Sequence, residues 1–183
     1  MGEQPLHRVF FALWPDEEAT SQLAALGLAL ANEGSRVMRP ATLHLTLAFI
    51  GGVTPARLET LHAVGAGTGA EGFELKLDRL GFWPQRGILW AGCRHSPSGL
   101  RRLSEKLDAG LHAAGFVLAR QGGASLVPHV TLARRVRCRD VPRLETPIRW
   151  CIDEFSLVES HLRPGSASYT SLAAFPLSVS DPA

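Results

Sequence analysis

His44-Leu45-Thr46-Leu47-Ala48 recurs in this chain as His129-Val130-Thr131-Leu132-Ala133. Both copies lie in stretches that read as strands, 43–50 (LHLTLAFI) and 127–133, rich in aliphatic and β-branched residues. On a strand, residues i and i+2 share a face, so His and Thr point one way and the aliphatic residues the other. Each copy therefore predicts a strand that buries Leu or Val and presents an imidazole and a hydroxyl to a cleft. If the two halves pack pseudo-symmetrically, the His-Thr pairs face each other across it.

RVFFALW at 8–14 reads as a buried strand closed by Pro15, and 16–32 as a helix with an acidic first turn. Gly51-Gly52 is expected to stop the first motif strand. Pro55 then opens a helix to about Val64, with the glycines at 65, 67, 69 and 72 forming a loop. FELKLDRL at 73–80 alternates as one strand, with Phe73, Leu75, Leu77 and Arg79 on one side. Gly81-Phe82-Trp83-Pro84 and the residues to Gly87 read as turn material before a strand at 88–93. Leucines 100, 103, 107 and 111 mark one buried stripe of a helix over 98–114. Two late strands, 149–160 and 167–177, flank a turn at Arg163-Pro164-Gly165. No P-loop or low-complexity linker interrupts this order, which points to an antiparallel α+β fold in a single domain over 1–183.

The bulk numbers narrow the function class. The 183 residues are 45% hydrophobic and 20% charged with a formal net charge of +2, an ordinary globular balance that argues against disorder. Arg134, Arg135, Arg137, Arg139 and Arg143 crowd one stretch, either a solvated face or a phosphate-contacting surface. Cys93, Cys138 and Cys151 show no C-x-x-C spacing, which argues against a disulfide framework and for a reducing compartment. The apolar run from Val9 to Trp14 is too short to span a bilayer and lacks a signal-peptide layout, so a cytoplasmic protein without membrane attachment is expected.

Two imidazoles and two hydroxyls suit one chemistry in particular. In-line hydrolysis of a phosphodiester needs a base for the water and an acid for the departing oxygen, on opposite sides of phosphorus. Imidazole titrates near pKa ~6.5 and serves either role. Threonine hydroxyls donate to non-bridging oxygens, and a nearby arginine holds the remaining charge. A zinc site is the competing use of two histidines, but neither copy is accompanied by a carboxylate or thiolate ligand, so no metal and no cofactor is expected. His7, His62, His95, His112 and His161 lack the motif context. Phe82, Trp83 and Trp90 read as core or as a platform for a base, and Phe49 as core.

At these residues the chain resembles the 2H phosphoesterase superfamily, named for two H-x-T/S-x motifs. More narrowly it is similar to the RNA 2′,3′-cyclic phosphodiesterase family, also called 2′-5′ RNA ligases. RVFFALW, LHLTLAFIG, the block from Phe73 to Trp90, PHVTLAR and the closing segment through Tyr169 carry the likeness. It implies a bilobal, pseudo-symmetric fold with mostly antiparallel sheets, outer helices and a central cleft. It also implies metal-independent conversion of a terminal 2′,3′-cyclic phosphate to a 2′-phosphate. His44 would be the proton donor to the 3′ oxygen and His129 the proton acceptor from water; Thr46, Thr131 and Arg134 would hold the phosphate. The implied partners are RNA ends or small nucleotides bearing that group, with no obligate protein partner. An arginine often found before the second motif is missing from Ala124-Ser125-Leu126-Val127-Pro128, and Arg120 is its candidate substitute. Two alternatives share the residues: reversible 2′-5′ joining of RNA ends, and a non-catalytic module that binds RNA ends.

Overall fold

The computed structural model describes residues 6–118, 127–138, 140–163 and 166–178. In chain order the elements are β1 (His7–Leu13), α1 (Glu17–Leu30), β2 (Arg36–Val37), a 3-10 turn (Pro40–Thr42), β3 (Leu45–Val53), α2 (Pro55–Gly67) and β4 (Phe73–Leu77). There follow β5 (Arg79–Trp83), β6 (Ile88–Gly92), α3 (Ser98–Ala113), β7 (His129–Arg134), β8 (Ile148–Ile152), β9 (Glu154–Arg163) and β10 (Ser166–Pro176).

An antiparallel sheet runs in the order β10-β9-β1-β3-β7-β6-β5, with β2 on β7, and β4 pairs with β8 in a small second sheet. Helices and sheets mix as the α+β reading requires. Asp16 caps α1 by accepting from the Ala19 amide at 2.8 Å, and Glu17 and Glu18 occupy the first turn, where the helix dipole favours negative charge. Leu100, Leu103, Leu107 and Leu111 of α3 are all fully buried, as their spacing predicts.

Tertiary pairing overrides local patterning at several elements. Gly51-Gly52 does not end β3: Gly51 takes φ 94° at an irregularity in the β1–β3 pairing, and the ladder continues to Val53 opposite His7. The expected single strand at 73–80 is two, because Asp78 turns the chain from one sheet to the other, its carboxylate accepting from the Arg94 amide at 2.8 Å. Alternation restarts there, so Arg79 is exposed and Leu80 buried, opposite to the expectation for a continuous strand. Gly81-Phe82-Trp83 belongs to β5 rather than to a turn. A Cβ on Gly81 would lie 2.0 Å from the Trp90 ring, so this glycine is what lets β5 accept the tryptophan of β6. The late stretch 149–160 likewise divides at Asp153 into β8 and β9, and α2 continues through Gly65 to Gly67. The turn at Pro164-Gly165 lies outside the described residues.

Candidate active site

The two motif strands are neighbours. β3 meets β7 antiparallel at Leu45 opposite Val130, and both of these side chains are fully buried. Continuing that register one residue each way sets His44 opposite Thr131 and Thr46 opposite His129. All four polar side chains then share the face opposite the core, around a local two-fold between Leu45 and Val130. The His-Thr pairs therefore lie side by side at the floor of the cleft.

The likeness extends beyond the motif. On β3, Thr46 pairs with Ala12 and Ala48 with Phe11, leaving Leu47 extra; on β7, Thr131 pairs with Trp90 and Ala133 with Leu89, leaving Leu132 extra. Each copy thus carries a bulge at its Leu, which buries Leu and Ala in succession. The residue after Ala is returned to the cavity face. In the first copy it is Phe49 and in the second Arg134, and both line a cavity of about 700 Å³ with His44, Thr46, His129 and Thr131. Phe49, expected in the core, is instead 40% exposed.

Both imidazoles are held in the same way. His44 Nδ1 lies 2.8 Å from the Thr42 carbonyl and His129 Nδ1 lies 2.9 Å from the Val127 carbonyl. A carbonyl only accepts, so each Nδ1 carries the proton and each Nε2 is left for the cavity. Aromatic collars fix the ring planes. Phe10, Trp14 and Tyr169 surround His44 at centroid distances of 5.0, 5.2 and 5.0 Å. Trp83 and Trp90 flank His129 at 4.6 and 6.2 Å. Tyr169 thus packs edge-on against a motif histidine, and Trp83 and Trp90 serve as a wall for the other.

Burial dominates the electrostatics. Desolvation pushes His44 from 6.5 down to about 4; the Thr42 carbonyl partly offsets this, and the charges of His129 and Arg134 add to it. His129 is lowered for the same first reason, opposed by the Val127 carbonyl and reinforced by Arg134. Four arginines, Arg8, Arg36, Arg39 and Arg134, line the cavity, and among the described residues no carboxylate does. The site is therefore anion-seeking far beyond what a chain charge of +2 suggests.

Of the crowded arginines only Arg134 reaches this cavity; Arg135, Arg137 and Arg143 are exposed elsewhere, and Arg139 lies outside the described residues. Arg120, Ala124, Ser125 and Leu126 also fall outside them. Arg8, Phe10 and Trp14 sit in a stretch that reads as uniformly buried, yet Val9, Phe11 and Leu13 pack into the main core while Phe10 and Ala12 pack on the opposite face with Trp14 and Tyr169. Arg36 gave no signal, because a strand of two residues has no periodicity. Among the described residues no three His, Cys, Asp or Glu side chains are grouped to hold a metal ion, and no helix is long and apolar enough to cross a membrane.

Known proteins share this arrangement of elements. An RNA 2′,3′-cyclic phosphodiesterase of Escherichia coli is 29% identical, covering 93% of this chain and 96% of its own. One from Thermus thermophilus is 31% identical over 93% and 90%. The crystal structure of Escherichia coli LigT in apo form superposes with a TM-score of 0.86 at 28% identity, covering 96% of this chain and 99% of LigT. LigT complexed with 3′-AMP gives 0.84 at 29%, covering 94% and 98%. The model of the 2′-5′ RNA ligase superfamily matches residues 9–164. With its duplicated His-Thr strands at the centre of that match, the chain belongs to the 2′-5′ RNA ligase superfamily.

Proposed function

We propose that this protein hydrolyses terminal 2′,3′-cyclic phosphates of RNA or nucleotides to 2′-phosphomonoesters, with His44 as proton donor and His129 as proton acceptor. The observation that carries the reading is the matched tethering of two Nδ1 atoms, which leaves both Nε2 atoms for one arginine-lined cavity. The relatives named RNA 2′,3′-cyclic phosphodiesterase support it, and the 3′-AMP complex of LigT supports a nucleotide as the substrate class.

With the phosphate over the four-residue floor, Thr46 and Thr131 donate to the non-bridging oxygens and Arg134 balances the charge. His129 Nε2 takes a proton from water as its oxygen attacks phosphorus. The P–O3′ bond breaks on the opposite side, and His44 Nε2–H protonates the departing 3′ oxygen. One proton enters His129 and one leaves His44, so exchange with solvent resets the pair. Each transfer is worth on the order of 10²–10⁴ in rate. A binding module would need no such matched proton carriers. The reverse reaction, with a 5′-hydroxyl RNA in place of water, is a second reading favoured by the ligase description of the family. Three free cysteines, Cys93, Cys138 and Cys151, fit a reducing, cytoplasmic setting.

The test is incubation with a 2′,3′-cyclic nucleotide in the presence of EDTA, followed by identification of the monophosphate. A 2′-phosphate formed at an undiminished rate is expected; a 3′-phosphate, or loss of turnover on chelation, overturns the reading.

The lowered histidines also set a pH dependence. In the free enzyme a proton donor whose affinity has fallen from 6.5 to about 4 is mostly neutral at pH 7. The anionic phosphate then favours the imidazolium and raises that affinity on binding. The kcat/KM optimum therefore lies below pH 6.5, while the alkaline limb of kcat lies at higher pH than that of kcat/KM. Coincident limbs for the two constants would contradict this electrostatic account. The limbs belong to the coupled pair rather than to one ring.

A further inference from the structure

A cyclic phosphodiester carries a single negative charge, which Arg134 beside the motif threonines suffices to meet, yet the cavity holds three more arginines. Two of these have local explanations. Arg39 Nη2 donates to the Ala167 carbonyl at 2.8 Å and so braces the wall at β10. Arg36 lies opposite Arg134 in the β2–β7 pairing, at the end of the cavity that the first phosphate already uses.

Arg8 stands apart. It lies opposite Gly52 on the β1–β3 ladder, whereas Thr46 lies opposite Ala12. At about 3.3 Å per residue, the step from Ala12 to Arg8 carries it about 13 Å along the strand from the phosphate floor. Its guanidinium sits 4.6 Å from the centroid of the Phe49 ring and so is stacked on the wall instead of reaching back to Thr46. Stacking fixes the plane of the guanidinium and leaves its edge N–H donors for an anion. The local two-fold is broken at this point: the position that offers a cation beside Thr131 offers an aromatic ring beside Thr46, and Arg8 restores positive charge farther out. The separation from the floor is one that a nucleotide, together with the arginine's own length, spans.

We infer that Arg8, held by Phe49, forms a second anionic subsite for the phosphodiester immediately upstream of the reacting end, so that the preferred substrate is an RNA of at least two nucleotides. This rests on the phosphoesterase reading above and names its substrate class. Arg8 acts on binding and takes no part in the chemistry.

The experiment compares kcat/KM for a 2′,3′-cyclic mononucleotide with that for a dinucleotide ending in the same cyclic nucleotide. Wild type, Arg8→Ala and Arg8→Lys are measured at low and raised salt. The wild-type ratio is expected to favour the dinucleotide about tenfold, the worth of one charge-assisted contact. It should shrink with added salt as counterions compete. Arg8→Ala should bring the ratio close to one, with Arg8→Lys between. A wild-type ratio near one, or an Arg8→Ala ratio equal to that of wild type, overturns the subsite. Failure of the wild type to turn over either substrate instead brings down the phosphoesterase reading, and the subsite falls with it.

Discussion

His44→Ala and His129→Ala each lower kcat/KM on a 2′,3′-cyclic nucleotide by about 10³-fold, the loss expected when one positioned proton carrier is removed. The double variant H44A/H129A is scarcely worse than either single one, because acid and base act in the same transition state and are not independent. The fold is expected to survive either substitution. Both rings are only partly buried and lie on the cavity face, away from the Leu45–Val130 pair that joins the motif strands. His44 does fill the collar formed by Phe10, Trp14 and Tyr169, so thermal unfolding and inorganic phosphate binding should be measured alongside. His129→Asn, which is closer in shape, provides a second test at the other ring. Near-normal turnover in either alanine variant removes that histidine from the chemistry.

Thr46→Val and Thr131→Val come next, each lowering kcat by about 10²-fold, the lower end of what loss of one donor to a developing oxyanion costs. Valine keeps the β-branch that suits a strand, so register and bulge persist while only the hydroxyl is lost. The two threonines occupy equivalent places in the two motifs, each one residue short of a bulged Leu. Equal losses are therefore expected within a few-fold, together with weaker inhibition by a 2′-phosphomonoester product. Wild-type rates in both variants would reduce the threonines to ordinary strand residues.

The duplicated motif was legible because a strand alternates with period 2, so His-x-Thr declares its own face whatever the strand pairs with. The leucine stripe of α3 and the cap at Asp16 were legible for the same reason, since helix periodicity and capping are local. FELKLDRL reads as one strand because its alternation looks continuous, and only the Asp78 carboxylate taking the Arg94 amide reveals the change of sheet. Gly51 reads as a stop from sequence, but a positive φ serves a bulge as well as a turn, and the partner strand determines which.

Local residue order thus dictated two strands that each bury aliphatics and expose an imidazole and a hydroxyl, within an α+β chain of modest charge. It could not dictate that these strands lie next to each other, that each kinks at its Leu, or that the kinks deliver Phe49 to one end of the cavity and Arg134 to the other. Nor could it place Arg8, Arg36 and Arg39 around the same space. Register and bulges are set by hydrogen bonding between strands distant in the chain. The collars that desolvate His44 and His129 exist only once β1, β10, β5 and β6 have packed around them.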